Sequence, residues 1–208
     1  MAGPKWRRRK DERPGDIVAA ALAVFGEKGF AGTRIEEIAA RAGVSKGTLY
    51  LYFETKADIF RAVVEQAVKP NVEALERVVL TLDLPFPTAL RTLLPRFAEL
   101  IMAVPVGRVV KMVVGESRNF PELAKVWHDE VVLKAVTLIG GLIARAQERG
   151  EVGPGDPRHH AFSIVGPMLM GVLWRETFTP IGGAEIDLPA LARRHAETVL
   201  DGLVPREP

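Results

Sequence analysis

Apolar residues recur every three or four positions along most of the chain, and the alternation typical of strands is nearly absent. An apolar stripe with this spacing indicates amphipathic helices. The first stripe, over residues 17–25, predicts a helix that begins after Asp16 as its N-cap and ends at Gly29. Because the helical spacing continues almost to the last residue, the predicted fold class is all-α.

Two short helices are predicted between residues 33 and 50. The sequence TRIE, from Thr33 to Glu36, is typical of a capping box at the start of the first, and Ser45 is the predicted N-cap of the second. Gly43 between them can take the positive φ that a tight turn requires. Two short helices joined in this way form a helix-turn-helix unit.

Longer helical patterns follow. One begins after Lys56 and continues beyond an interruption or kink at Pro70. Prolines and the loop sequence of residues 150–157 separate the remaining helices. These are predicted near 88–104, 105–118, 121–149, 158–178 and 188–203. The chain therefore divides into an N-terminal head of three helices and a larger helical body, with about nine helices in all.

Composition narrows the class of protein. The 208 residues include no cysteine, so disulfides and thiolate metal sites are excluded. The longest uncharged apolar run, residues 161–174, is shorter than the roughly 20 residues that span a bilayer, and no apolar core of a signal peptide follows the basic start. We therefore expect a soluble, cytoplasmic protein with no membrane partner.

The net charge of +2 conceals an asymmetry, because residues 1–13 carry six basic and two acidic side chains. A basic end can contact a polyanion such as DNA, and a solvated tail is the alternative.

Signatures of enzymes are incomplete. The segment 115–119 (GESRN) begins like a nucleophile elbow but lacks the closing glycine, and the segment 153–159 (GPGDPRH) does not match the dinucleotide fingerprint. His159 and His160 are adjacent, so on a helix they diverge by about 100° and are poorly placed to share a metal. We therefore predict no enzyme activity, no catalytic residue, no metal and no cofactor.

Residues 30–60 read FAGTRIEEIAARAGVSKGTLYLYFETKADIF. This segment strongly resembles the DNA-binding head of the TetR/AcrR family of transcriptional regulators, and the resemblance covers residues 14–64. It implies a basic flexible arm (1–13), a helix-turn-helix DNA-binding domain (14–58) and a ligand-binding and dimerisation domain (59–208). The residues implied to contact double-stranded DNA are Thr33, Arg34, Ser45, Lys46, Gly47, Thr48, Tyr50, Tyr52 and Lys56.

The start of the second short helix is the expected source of sequence specificity. Lys46 can reach a guanine edge or a phosphate, Gly47 lets the backbone approach the DNA, and Thr48 offers a hydroxyl and a methyl group. Ser45 can cap the helix and still present an oxygen to a phosphate. Tyr50 looks like a further groove contact, with packing under the head as the alternative.

Phosphate contacts are expected to supply most of the affinity. Thr33, Arg34 and Lys56 lie at helix starts, where free N–H groups and the positive end of the helix dipole already favour a phosphate. Tyr52 looks like another phosphate contact, whereas Phe53 is expected in the core of the head. The arginines at positions 7–9 are predicted to reach the duplex, in its minor groove.

The resemblance also implies a small-molecule effector in the body and a homodimer formed by the last two helices. The helix near 158–178 is apolar nearly all round, so both faces must be covered, by a partner subunit and its own core or, alternatively, by the core of a monomer. The candidate effector-binding residues, each of which can also belong to the core, are Phe97, Met102, Met112, Trp127, Met168 and Trp174, with Glu116, Arg118 and His128 as polar candidates.

These inferences predict a ligand-responsive DNA-binding transcriptional regulator, specifically a repressor that binds a palindromic operator as a dimer and is released by a small molecule. The long helix from residue 56 would connect the two sites. The alternative is a helical small-molecule-binding protein or enzyme that has lost DNA binding.

Overall fold

The computed structural model describes residues 5–81, 84–103 and 106–205, and these ranges contain helices and loops but no strand. Two of the helices pass through a π-helical turn without interruption. In chain order the helices are α1 (Lys5–Gly32), α2 (Ile35–Arg41), α3 (Lys46–Tyr50), α4 (Lys56–Val63, the π turn Val64–Val68 and Lys69–Thr81), α5 (Phe86–Ala103), α6 (Val106–Glu116), α7 (Pro121–Trp127, the π turn His128–Val132 and Leu133–Glu148), α8 (Pro157–Thr177) and α9 (Leu188–Leu203). The all-α prediction is confirmed, and these ranges hold the nine helices expected.

The first helix differs from its prediction at both ends. Its backbone is already helical at Lys5, so Asp16 lies inside α1 rather than at its N-cap, and residues 5–13 of the predicted flexible arm are helical. Arginine, lysine and glutamate, which dominate this segment, are good helix formers, which favours the extension. Residues 1–4 lie outside the described ranges. At the other end, Gly29 has a φ of 72°, and a further turn continues to Gly32.

The cap of α2 lies one residue later than predicted. Arg34 occupies the N-cap, and its N–H donates to the carboxylate of Glu37 at 3.3 Å. Thr33 is buried instead, and its hydroxyl donates to the Gly29 carbonyl at 2.6 Å. The turn after α2 is as predicted, because Gly43 has a φ of 67°.

The head shares a hydrophobic core with the adjacent part of the body. Buried side chains of α1 to α4 form one continuous cluster with side chains of α6 and α7. Its members include Phe25, Ile38, Leu49, Phe60, Val109, Met112 and Leu123. The head therefore packs on the inner faces of α6 and α7. A shift of either helix would change the packing of the head.

A second cluster forms the core of the body, where α5, α7, α8 and α9 pack together. Phe86, Ile143 and Met168 are fully buried there. Within the ranges described, none of the helices combines the length and apolar character needed to cross a membrane.

Candidate nucleic-acid interface and effector cavity

The first turn of α3 presents polar groups to solvent. Leu49 is fully buried and anchors the helix in the head, whereas Lys46 and Gly47 are exposed. Ser45 is the N-cap as predicted, since its Oγ accepts from the Thr48 N–H at 3.0 Å. The hydroxyls of Ser45 and Thr48 lie 2.9 Å apart. An exposed first turn on a short anchored helix is the geometry that a recognition helix needs.

Lys46 is oriented by its neighbours on the same surface. Its ammonium pairs with the Glu36 carboxylate of α2 and lies 5.8 Å from the ring centroid of Tyr50. The hydrogen bond between the two side chains raises the pKa of Lys46 and lowers the pKa of Glu36, so both stay charged at neutral pH. Because the pair is exposed, a phosphate or a base edge can compete for the ammonium.

The two tyrosines have different environments. Tyr50 is 43% exposed beside Lys46. Tyr52 is half-buried and packs against the core of the head, as does Phe53. Packing under the head, considered above for Tyr50, therefore applies to Tyr52.

Gly47 has open space around it. A Cβ built at this position would lie 3.8 Å from the Ser45 Oγ, in ordinary contact, and nothing closer is described. The folded chain itself therefore does not require glycine here.

Two of the predicted phosphate contacts have partners inside the protein. The Lys56 ammonium donates to the Phe30 carbonyl at 2.5 Å and to the Thr33 carbonyl at 3.0 Å, and it lies 4.5 Å from the Phe30 ring centroid. Burial lowers the pKa of Lys56. The Thr33 hydroxyl is also bonded internally, whereas Arg34 is exposed. The predicted phosphate contacts of Lys56 and Thr33 stay predictions.

Glu116, predicted as an effector contact, instead joins the body to the head. Its two carboxylate oxygens accept from the backbone N–H groups of Phe30 and Ala31, each at 2.6 Å. These N–H groups directly follow Gly29, where the positive φ interrupts α1. The last residue of α6 therefore holds the end of α1 in place.

An apolar cavity of about 280 Å³ lies between the helices α4 to α8. Its walls consist almost entirely of aliphatic and aromatic side chains, and among the lining residues described only Asn71 and Trp127 carry a hydrogen-bonding group. Other lining residues include Val68, Phe97, Leu142, Phe162 and Val172. An apolar cavity with few polar groups is typical of a site for a small molecule.

Of the nine candidate effector residues, Phe97 and Trp127 line this cavity, and Glu116 contacts the head as described above. The other six lie elsewhere in the fold. Met112 and Met168 are buried in the two cores, Met102, Arg118 and His128 are exposed, and Trp174 donates its indole N–H to the Ala184 carbonyl at 2.8 Å. Sequence reasoning missed Asn71, although a polar residue between the apolar positions 68 and 72 is a visible signal.

The fold and the exposed first turn of α3 define a helix-turn-helix DNA-binding regulator. The family described as bacterial regulatory proteins, tetR family, matches residues 17–63, and the tetracyclin repressor-like C-terminal domain matches residues 86–199, more than half of the chain. The chain belongs to the TetR family of transcriptional regulators.

Curated relatives agree with this membership. The chain is 29% identical to the transcriptional regulator RutR of Escherichia coli K12 over 162 residues, which is 71% of this chain and 68% of RutR. It is 37% identical to the transcriptional activator FasR of Mycolicibacterium smegmatis over 75 residues, 36% of this chain. The matches to FasR and to YfiR of Bacillus subtilis span 34% and 38% of those proteins, about a third of their length.

Solved structures share the fold. The regulator FadR of Bacillus subtilis, in complex with stearoyl-CoA, has a TM-score of 0.75 at 21% identity and covers 90% of this chain and 98% of its own. NalD of Pseudomonas aeruginosa, the secondary repressor of the MexAB-OprM multidrug efflux pump, has a TM-score of 0.73 at 24% identity and covers 95% and 99%.

Proposed function

We propose that this regulator is a repressor that binds a palindromic operator as a homodimer and releases it when a small apolar molecule occupies the cavity. One observation carries the proposal: α4 begins in the head at Lys56 and forms a wall of the cavity at Val68, Asn71 and Val79. An occupant of the cavity that displaces α4 therefore moves a helix whose first residues lie in the head.

Helix α3 would read the DNA. We infer that Lys46, Gly47, Thr48 and Tyr50 face the major groove, because they surround the one buried anchor, Leu49. Ser45, Arg34 and Tyr52 would contact the sugar-phosphate backbone, which positions the head without reading sequence.

The outer face of α8 supports the homodimer. Met170 is large and apolar, 53% exposed, and outside the lining of the cavity. Phe162 is 60% exposed and Leu169 41%, and these two side chains also line the cavity. A second copy related by a two-fold axis would cover this face together with α9, and it would present two copies of α3 to a palindromic site.

The connection between α6 and α1 supplies a second route from cavity to head. Val106 and Val110 of α6 line the cavity, and Glu116 at the end of the same helix holds the end of α1. A coupling free energy of about 1–3 kcal/mol between the two sites would weaken operator binding roughly 5- to 150-fold when the effector is bound.

The effector is proposed to be apolar because of the walls of the cavity. The structure of the relative FadR in complex with stearoyl-CoA supports a lipophilic ligand for this chain as well.

Selection of bound duplexes from a randomised DNA pool tests the proposal. We expect a palindrome whose half-sites lie about one helical turn, or a small multiple of it, apart. Lys46→Ala should weaken binding to the recovered site. Lys125→Ala is the matched control, because Lys125 is also exposed and ion-paired, with Asp129 at 2.8 Å, but lies in the body. Failure of the folded protein to select any consensus would contradict the proposal.

A further inference from the structure

Leu51 is the most exposed large apolar residue in the part of the chain that the structure describes. Its exposed fraction is 82%. It directly follows α3, and its backbone is still helical, with a φ of −70° and a ψ of −20°. Single apolar residues are common on protein surfaces, so the position of this leucine on the helix decides what its exposure means.

The side of α3 that carries Leu51 faces away from the head. Leu51 comes two residues after the buried anchor Leu49, which on a helix is a rotation of about 200°. It also comes four residues after Gly47, and residues with this spacing lie on the same face, one turn apart. Its backbone N–H donates to the Thr48 carbonyl at 3.2 Å. Leu51 therefore shares the exposed face on which the first turn of α3 presents its polar groups.

Open space separates Leu51 from Gly47 on this face. Outside the adjacent residues and the backbone of the helix, a Cβ built at Gly47 has one atom within 4 Å, the Ser45 Oγ at 3.8 Å. The side chain of Leu51 is therefore farther away than 4 Å. Since an added Cβ fits there in ordinary contact, the space above the Gly47 backbone can hold a methyl group. We call this space the Gly47 notch.

The chemistry of the major groove limits what a leucine can recognise. Phosphate oxygens and the hydrogen-bonding edges of the bases are hydrated, and a leucine that displaces their water offers no hydrogen bond in return. The 5-methyl group of thymine is the one methyl group that the four bases present in the major groove, and apolar side chains contact it. Contact between this methyl group and Leu51 removes apolar surface of both partners from water.

We infer that Leu51 recognises a thymine in each half-site of the operator, with the 5-methyl group of the base in the Gly47 notch. The inference rests on the proposed function, because it assumes that α3 enters the major groove. It adds an apolar determinant of specificity to the polar groups of Lys46 and Thr48, and Leu51 is not among the residues that the family resemblance implied.

Deoxyuridine in place of thymidine tests the contact, because it removes the 5-methyl group and keeps every hydrogen-bonding group of the base pair. Each thymine of the palindrome recovered by selection, on either strand, is replaced in turn and the duplex is titrated with the full chain. Burial of one methyl group contributes about fourfold in affinity, so replacement at the contacted position should weaken binding about fourfold in one half-site and about 16-fold in both.

Two variants identify the side chain that contacts the methyl group. Leu51→Ala should bind the thymine and deoxyuridine duplexes equally, and it should fold normally because the side chain is exposed. Thr48→Ser removes the methyl group that the first turn of α3 offers but keeps the hydroxyl, which lies 2.9 Å from that of Ser45. This variant should retain the preference for thymine. Leu133→Ala, at a leucine of α7 that is 51% exposed, is the matched control and should bind the operator as the wild type does.

Three results would overturn the inference. The first is equal binding of thymine and deoxyuridine duplexes at every position, or a consensus without thymine. The second is a preference for thymine that survives Leu51→Ala, and the third is its loss in Thr48→Ser, which would assign the contact to Thr48.

The proposed function fails in a different way. If the folded protein selects no consensus, both proposals are contradicted. If it selects a palindrome and deoxyuridine has no effect, DNA binding by α3 stands and the thymine contact of Leu51 does not.

Discussion

Two charged side chains meet at the end of α1. Glu116 accepts the N–H groups of Phe30 and Ala31, and Lys56 donates to the carbonyls of Phe30 and Thr33. One short stretch of backbone is thus held on its donor side by α6 and on its acceptor side by α4. Because α2 begins at Ile35, directly after this stretch, the position of the helix-turn-helix unit depends on both side chains.

Glu116→Gln tests this dependence. The amide can accept only one of the two N–H bonds with its oxygen, and it carries no charge. We expect the free energy of unfolding to fall by about 1–3 kcal/mol and operator affinity to fall with it, since hydrogen bonds to charged groups are stronger than neutral ones. Denaturant unfolding and DNA titration measure the two effects. Glu122→Gln, at an exposed position of α7, is the control and should change neither.

Gly47→Ala separates folding from DNA recognition. The added methyl group meets only the Ser45 Oγ at 3.8 Å, and alanine favours a helix over glycine by about 1 kcal/mol, so stability should be unchanged or higher. Binding to the selected operator should weaken, because the methyl group occupies space between backbone and DNA.

Gly43→Ala is the contrasting variant. Gly43 has a φ of 67°, which alanine adopts only with strain, so this change should reduce stability. Wild-type operator affinity in Gly47→Ala would exclude close approach of the α3 backbone to DNA.

At the scale of the elements, α4 and α7 each contact both the head and the cavity, as α6 does. Each contains one π turn, and the two turns pack against each other. A π turn holds one residue more than the corresponding α-helical turn and often marks a functional position. The π turn of α4 separates the part that packs in the head from the part that lines the cavity, so a change in this turn alters the relation between them.

The exposed apolar face of α8 leads to a prediction about dimer formation. Met170 is 53% exposed and does not line the cavity, so Met170→Glu changes the outer face of α8 alone. We expect sedimentation to show a shift from dimer to monomer, because a buried unpaired charge at the interface is costly. Val114→Glu, at an apolar position of α6 that is 60% exposed, is the matched control and should stay dimeric. A dimeric Met170→Glu variant would place the interface elsewhere.

The bounds of the helices in the body were predictable because proline and glycine punctuate them. The predicted ranges of α5 to α9 agree with the structure within two residues at each end. The internal roles of Lys56 and Glu116 were not predictable, because their partners are backbone groups of α1 more than 20 residues away in sequence. The residues that line the cavity were also not predictable from the sequence, since a cavity wall and a packed core have the same apolar periodicity.

At the scale of the whole molecule, the excess of basic over acidic residues lies in the N-terminal segment that precedes the head. Residues 1–13 carry six of the 28 basic side chains, and residues 5–13 continue α1 beyond the head. Residues 5–13 of the basic segment are therefore part of the same helix, α1, whose other end is held by Glu116 and Lys56. Their backbone continues directly from the head.

Deletion of residues 2–9 tests whether this segment contacts DNA. Each phosphate contact contributes about 0.9 to the slope of log K against log salt concentration, so loss of the segment should flatten the slope by at least about 1. Operator titrations between low and moderate salt measure it, and binding of an apolar probe in the cavity should stay unchanged as the control. An identical slope would remove the segment from the interface.

Helix α6 has two faces with separate neighbours. Val109, Met112 and Val113 pack in the core that holds the head, whereas Val106 and Val110 line the cavity. Substitutions on the cavity face can therefore accumulate during evolution while the face that supports the head is kept. Related regulators can in this way acquire new inducing molecules and still recognise an old DNA sequence.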